Sequence, residues 1–202
     1  MAPRLGLAKV GPSWLVALAL ACSSASPRVN YAAAMADDPR ERPYRVGVAD
    51  VVRVTVWKDP SLSTEMAVRP DGKISVPLLG ELDAAGRTPE EIQVQMSRRL
   101  SAFVKDAIVT VIVVEVNSYR FTVAGNVERP GMFTPRYFVT LTEAIALAGG
   151  PNRFGATSEV VVIRPRAAGN PSRIPVDYDR ILSGERPEAN IVIRPGDTVL
   201  VP

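Results

Sequence analysis

Three Arg-Pro turns, flanked by short β-branched runs, punctuate the chain, a pattern that favours short strands and tight reversals over long helices. The turns sit in VRPDGKISVPLLGEL (Val68–Leu82), VERPGMF (Val127–Phe133) and IRPGDTVLVP (Ile193–Pro202). In each, the proline presets φ at about −65°. The glycine one or two residues later, Gly72, Gly131 or Gly196, is expected to supply the positive φ of a tight reversal. The 18 prolines and 14 glycines of the 202 residues fall at turns instead of forming tracts.

Between the turns the pattern alternates with period two, as in a half-buried strand. Asp50–Trp57 sets Val52, Val54 and Val56 against Arg53, Thr55 and Trp57, and short strands are expected at Ala67–Val68, Ile74–Val76 and Gly80–Leu82. Thr88-Pro89-Glu90-Glu91 announces a helix with a capping box and a proline at its first position. Ile92, Met96, Leu100 and Phe103 follow as one buried stripe. Ala107–Val116 is apolar on both faces, so a strand buried on both sides is expected under that helix. A second unit opens with the alternating Tyr119–Gly125. Its helix starts at Thr140 with Glu143 completing a capping box, and ends at Gly149-Gly150-Pro151. Strands are expected at Glu159–Arg164, Arg173–Asp177, Asn190–Arg194 and Thr198–Val201, with a short helix at Tyr178–Leu182. One helix across a small mixed sheet is a β-grasp-like pattern, and the fold class is α+β. Tyr44–Trp57, with Gly47 and Asp50, echoes Ile191–Val201, with Gly196 and Asp197, too faintly to establish a duplicated domain.

Residues 1–21 carry Arg4, Lys9 and the apolar run WLVALALA, which is shorter than the roughly 20 residues of a membrane span and fits a signal peptide. Cys22, the only cysteine, follows Ala19-Leu20-Ala21 in a permissive lipobox and is read as the acylated first residue of a lipoprotein; the other reading is cleavage after Ala34-Met35-Ala36. Residues 22–42 read as a lipidated flexible tether, 43–117 as a first domain and 118–202 as a second. With Cys22 so used, the folded part holds no disulfide. Without Arg4 and Lys9 the formal charge of +3 falls to 22 basic against 21 acidic residues. No basic stripe with interleaved aromatics appears, which argues against nucleic acid as a partner.

Candidate chemistry is sparse. Histidine is absent, removing the commonest general base and metal ligand and every His-activated nucleophile. Asp59, Glu65, Asp71 and Glu81 could pair as an acid and a base, but Asp71 suits a turn in which it bonds its own backbone, and the others suit a charged surface. Asp37-Asp38 fits solubility better than calcium. Gly149-Gly150 follows a helix where a phosphate loop precedes one. Catalytic, metal and cofactor sites are therefore all read as none. Trp57, Tyr119, Phe121, Tyr137 and Phe138 could stack on sugar rings if exposed on one wall; core or interface is the favoured role for most.

Tyr44-Arg45-Val46-Gly47, Asp50–Val54, Val56-Trp57, VRPDGKISVPLLGEL, TPEEI and VTVIVVEV together resemble the export domain of the Wza-like outer-membrane polysaccharide export family. VAGNVERPGMF, LTEAIALAGGPNRFGA and PGDTVLVP resemble the soluble-ligand-binding (SLBB) β-grasp domain that follows it. The turn-signature positions are Gly47, Asp50, Pro70, Asp71, Gly72, Pro130, Gly131, Gly196 and Asp197. The resemblance implies a homo-oligomeric ring at the periplasmic face of the outer membrane, lipid-anchored, conducting capsular or exopolysaccharide without catalysis. It implies an inner-membrane polysaccharide co-polymerase, often paired with a tyrosine kinase. Larger members carry a pore-forming C-terminal helix, whereas the sequence stops at Pro202, so a separate outer-membrane β-barrel is expected to continue the path. The rival readings are a monomeric periplasmic glycan-binding module and, more remotely, a glycan-modifying enzyme.

Overall fold

The computed structural model describes residues 30–32, 38–105 and 107–202. Two hydrophobic cores lie in succession along the chain. In the first, β1 (Val51–Val56) is the centre of a three-stranded antiparallel sheet between β2 (Thr64–Ala67) and β5 (Val109–Glu115). A separate hairpin joins β3 (Lys73–Val76) to β4 (Gly80–Asp83). Helix α1 (Pro89–Leu100) packs on β5. Its capping box forms as the sequence predicts, Thr88 Oγ1 accepting from Glu91 N and Glu91 accepting from Thr88 N. Val52, Val54 and Val56 face Ile92, Met96 and Leu100 in the core.

In the second half, a five-stranded sheet runs in the order β7 (Gly131–Phe133), β6 (Phe121–Gly125), β10 (Thr198–Val201), β8 (Val160–Arg164), β9 (Ser172–Val176). It is mixed, because β10 runs parallel to β6 and antiparallel to β8. Helix α2 (Leu141–Leu147) lies on it, giving the expected β-grasp arrangement, and α3 (Tyr178–Leu182) follows β9. Gly149 and Gly150 end α2 at φ 85° and 86°, their N–H groups donating to Ala146 O and Ile145 O as a left-handed cap requires.

Four expectations are corrected. Phe103 is 61% exposed: α1 stops at Leu100, whose carbonyl accepts from both Phe103 and Val104, and the tightened turn swings Phe103 off the helical stripe. Strand β5 is buried on one face only, since α1 covers Val109 and Val111 while Ile108, Ile112 and Val114 face outward. Residues 190–194 form no sheet strand. Their backbone runs beside residues 139–141, with Ile193 N donating to Val139 O, Leu141 N to Ile191 O, and a single bridge from Thr140 to Val192. Lastly, Gly131 does not take positive φ. The reversal between β6 and β7 is spread over a wider loop pinned by Glu128 N to Gly150 O and Arg129 N to Ala148 O, so Gly131 simply pairs with Val123.

The exposure of Phe103 has a measurable consequence. Leu100→Ala removes a fully buried side chain and is expected to cost about 2–5 kcal/mol, whereas Phe103→Ser should stay within about 0.5 kcal/mol of wild type in urea unfolding.

Candidate functional site

The site is built where the first domain hands over to the second, around a carboxylate with no accessible surface. Asp50 precedes β1. Its Oδ1 accepts from the backbone N–H groups of Asn117 (2.8 Å) and Ser118 (2.7 Å). Its Oδ2 accepts from Gly47 N (2.7 Å), Ser118 Oγ (3.0 Å) and the Tyr44 hydroxyl. Five donors thus meet one carboxylate, and two of the residues supplying them lie at the inter-domain connection. Gly47 is required by space: a Cβ there would stand 2.2 Å from Ser118 Cβ. Burial, together with the bond to Asp50, pushes the Tyr44 hydroxyl well above the ordinary tyrosine range.

Asp197, before β10, repeats the device. Arg194 N donates to its Oδ2 and Asp197 N donates back to Arg194 O, as Gly47 N donates to Asp50 and Asp50 N to Gly47 O. The residue before each aspartate has positive φ, 81° at Gly196 and 75° at Ala49. The faint echo in the sequence is therefore a real conformational repeat, in register on the two aspartates, with Gly196 matching Ala49 and not Gly47. The difference lies in the partners: buried Asp197 is held by the guanidinium of Arg164 at 2.7–3.2 Å, and Arg164 also reaches Val192 O.

Above the Asp50 turn the two domains enclose a groove of about 230 Å³. Tyr44, Tyr119 and Phe138 form its aromatic wall, and Arg42, Arg45 and Arg194 line it with prolines 39, 43 and 195. Tyr119 is fixed through its hydroxyl, which donates to Ile193 O and accepts from Val139 N, and its ring lies edge-on to Phe138 at 4.7 Å. Burial pushes its hydroxyl up to about 12. The segment entering the groove is itself seated: Asp38 caps a short 3-10 turn at Pro39–Glu41, and further upstream the Tyr31 hydroxyl donates to Pro175 O.

Other predicted positions lie apart. Pro70, Asp71 and Gly72 form the β2–β3 reversal, with Gly72 at φ 80° and Asp71 accepting from Lys73 N as expected. Pro130 and Gly131 belong to the wide loop before β7. Glu65 pairs with Arg53, while Glu81 pairs with Arg69 and Lys73, whose cations hold its carboxyl below the usual range. Asp59 accepts from Ser61. Asp71 and Glu81 are thus brought together on one guanidinium, Arg69 lying 2.8 Å from Asp71 and 2.6 Å from Glu81, whereas Asp59 and Glu65 lie apart in a turn bond and a separate ion pair. Of the five aromatics, Tyr119 and Phe121 are buried, Phe138 is half-buried, and Trp57 and Tyr137 are exposed. Cys22 and the leader lie outside the described residues. Sequence reasoning assigned no site role to Arg42, Arg45, Ser118, Arg164 or Arg194, although Arg45 lies in Tyr44-Arg45-Val46-Gly47 and Arg194 in the third Arg-Pro turn, because nothing local says that these residues converge.

A two-domain α+β chain with an export-type sheet-and-helix unit joined to a β-grasp unit is the class this geometry defines. Comparison with known proteins gives the same answer: residues 38–114 match the polysaccharide biosynthesis/export protein family and residues 120–176 match the SLBB domain. The chain belongs to the Wza-like polysaccharide export family, with an export domain followed by an SLBB domain. It is 30% identical over 183 residues to the EPS I polysaccharide export outer membrane protein EpsA of Ralstonia nicotianae, covering 79% of this chain and 47% of that protein. The exopolysaccharide production protein ExoF of Rhizobium meliloti is 29% identical over 133 residues, covering 60% and 32%. The capsule polysaccharide export protein BexD of Haemophilus influenzae is 27% identical over 173 residues, covering 76% and 42%. The chain thus spans less than half the length of these relatives.

Asp50→Asn replaces an acceptor oxygen with a donor facing donors, so a loss of about 3 kcal/mol is expected in urea unfolding. Faster proteolysis at 117–118 should accompany it. Asp197→Asn leaves Arg164 unpaired and should cost about 3–5 kcal/mol. Tyrosine also gives a pH dependence. An unfolded tyrosine ionises near pH 10 and folded Tyr119 near 12, so its contribution is complete below about pH 10 and is lost as pH rises toward 12. The urea midpoint should therefore fall across that window in wild type, and fall less in Tyr119→Phe.

Proposed function

We propose that this chain is a non-catalytic outer-membrane lipoprotein, anchored at the periplasmic face through acylated Cys22, whose copies assemble into a ring that conducts capsular or exopolysaccharide. The observation that carries this reading is the order of its two domains, export then SLBB, in a chain whose relatives are named as polysaccharide export proteins. The buried carboxylates favour a passive role: Asp50 and Asp197 are each consumed by structural hydrogen bonds, leaving neither free to act as acid or base. Self-association is favoured by the outward face of the β1–β5 sheet. There Trp57 (65% exposed), Ile108 (63%), Ile112 and Val114 lie exposed beside Thr110 and the Arg53–Glu65 ion pair, an apolar cluster with a polar border of the kind that marks an interaction surface. The expected inner-membrane co-polymerase and outer-membrane β-barrel are part of the same proposal.

The anchor is consistent with the seated segment. Asn30 lies eight positions after Cys22, a contour of at most ~28 Å, so an acylated Cys22 would hold the SLBB domain close to the membrane. A single acyl chain binds only marginally and several are needed for firm anchoring.

Cys22→Ser is expected to leave the fold intact and move the protein from the outer-membrane fraction to the soluble periplasm; full retention in the membrane without its partners would remove the lipid from the scheme. Native mass measurement and negative-stain imaging of the detergent-extracted protein test the ring. Closed rings are expected, and loss of them in Ile108→Glu/Ile112→Glu would locate the contact on β5. Monomer at every concentration, with and without lipid, would favour the glycan-binding module instead.

A further inference from the structure

The groove at the domain junction has a chemistry that the conduit reading leaves unassigned. Its lining supplies three guanidinium groups, Arg42, Arg45 and Arg194, with two carboxylates close by, Glu91 on Arg45 and Asp38 near Arg194, so that cations are in excess. Arg45 already bonds Gly86 O and the Glu91 carboxylate, so the cationic wall is held in place from the protein side. Facing these charges are the half-buried rings of Tyr44 and Phe138. The hydroxyl of Tyr44 is committed to Asp50, which fixes its ring as a wall. Behind the same aromatics lies a second hollow of about 70 Å³, lined also by Arg136 and Tyr137, with no acidic side chain in its lining. At about 230 Å³ the main groove is below the roughly 300–1,000 Å³ of drug-sized pockets, which suits one ring-sized group.

We propose that this groove holds an acidic sugar residue of the exported polymer, its carboxylate against the guanidinium groups and its ring against Tyr44 and Phe138. Planar guanidinium forks match a carboxylate geometrically, and a concave site with an excess of one sign of charge concentrates the opposite sign. Aromatic walls with a few charged groups are the usual composition of a small-ligand site. The proposal rests on the export reading and deepens it by naming the class of sugar. One wall of the groove comes from residues 39–43, so occupancy also presses that segment onto the domain junction.

The test uses the full chain extracted in detergent and three probes in calorimetric titration: tetragalacturonic acid, its carboxyl-reduced neutral counterpart, and a tetraglutamate peptide. The acidic sugar should bind, the neutral sugar should bind at least about tenfold more weakly, and Arg42→Gln/Arg194→Gln should lose about tenfold for the acidic sugar. Arg173→Gln, away from the groove, should bind as wild type. Phe138→Leu, which keeps every charge, should weaken both sugars and serves as the second variant if the arginine double variant melts early. Equal binding of both sugars, unchanged binding in the groove variants, or tighter binding of the peptide than of the acidic sugar would overturn the proposal. Complementation of a deletion strain separates this from the reading beneath it. If wild-type chain restores polymer secretion yet binds no acidic sugar, the groove assignment falls and export stands. If the deletion strain secretes normally, the export reading falls and takes the polymer assignment with it.

Discussion

A buried carboxylate bound by five hydrogen-bond donors ties the first domain to the start of the second. Taking Asp50 wholly out of water carries a heavy desolvation cost that hydrogen bonds offset here. Three backbone N–H groups and two hydroxyls supply them, and because Asn117 and Ser118 are among the donors, the bonds can form only when the connection between the domains is seated. Charge-assisted bonds to backbone donors are directional as well as strong. The carboxylate therefore sets the approach of the second domain to the first, and with it the shape of the groove whose wall includes Tyr44.

The same turn appears twice, and the two copies solve the burial problem differently. Asp197 recruits Arg164, so β10 is tied to the neighbouring β8 by an ion pair within one domain. Asp50 recruits the inter-domain connection instead. Ala49 pays for this with a left-handed backbone, which costs an L-residue roughly 1–2 kcal/mol, whereas Gly196 takes the same conformation freely. Strain of that kind persists only where surrounding bonds over-determine the backbone, and here Ala49 N donates to Val68 O while Val68 N donates to Asp50 O.

Elements whose signals are local were legible in the sequence. Thr88 and Glu91 specified α1 within a few residues, Gly149-Gly150 stopped α2, and the alternation of Val52, Val54 and Val56 gave the buried face of β1. What failed were inferences about which neighbour covers a face. An apolar run such as residues 107–116 reads alike whether both faces meet protein within the chain or one is left outward, and only the three-dimensional placement of α1 decides. Residues 190–194 look like a strand because Ile191 and Ile193 are buried, yet their backbone partners belong to the segment before α2. The junction was half legible: Gly47, Asp50, Gly196 and Asp197 stood out as turn residues, but the repeat was in register on the aspartates, and nothing local says that Arg42 and Arg194, each before a proline but far apart in the chain, meet at one groove.

The exposed surface separates two chemistries that a polymer-handling protein needs kept apart. On the first domain, Trp57, Ile108, Ile112 and Val114 crowd one sheet face, and β5 bulges at Val114, where Val51 and Val52 pair across to Glu115 and Val113. Such a bulge twists the strand locally, limiting how far this apolar face can be extended by edge-to-edge pairing and favouring contact through the face itself. The groove at the domain junction is instead cationic and lined with aromatic rings already held by hydrogen bonds and ring packing. An apolar strip suits a permanent contact, since its burial is driven by water exclusion and needs no specific partner atoms. A cationic groove with fixed rings suits a partner that arrives and leaves, because charge accelerates encounter while its contribution to affinity is screened by salt. Asp50 stands just before β1, the central strand of the sheet that carries the first surface, and bonds the tyrosine that walls the second, so one buried carboxylate lies at the point where both are joined.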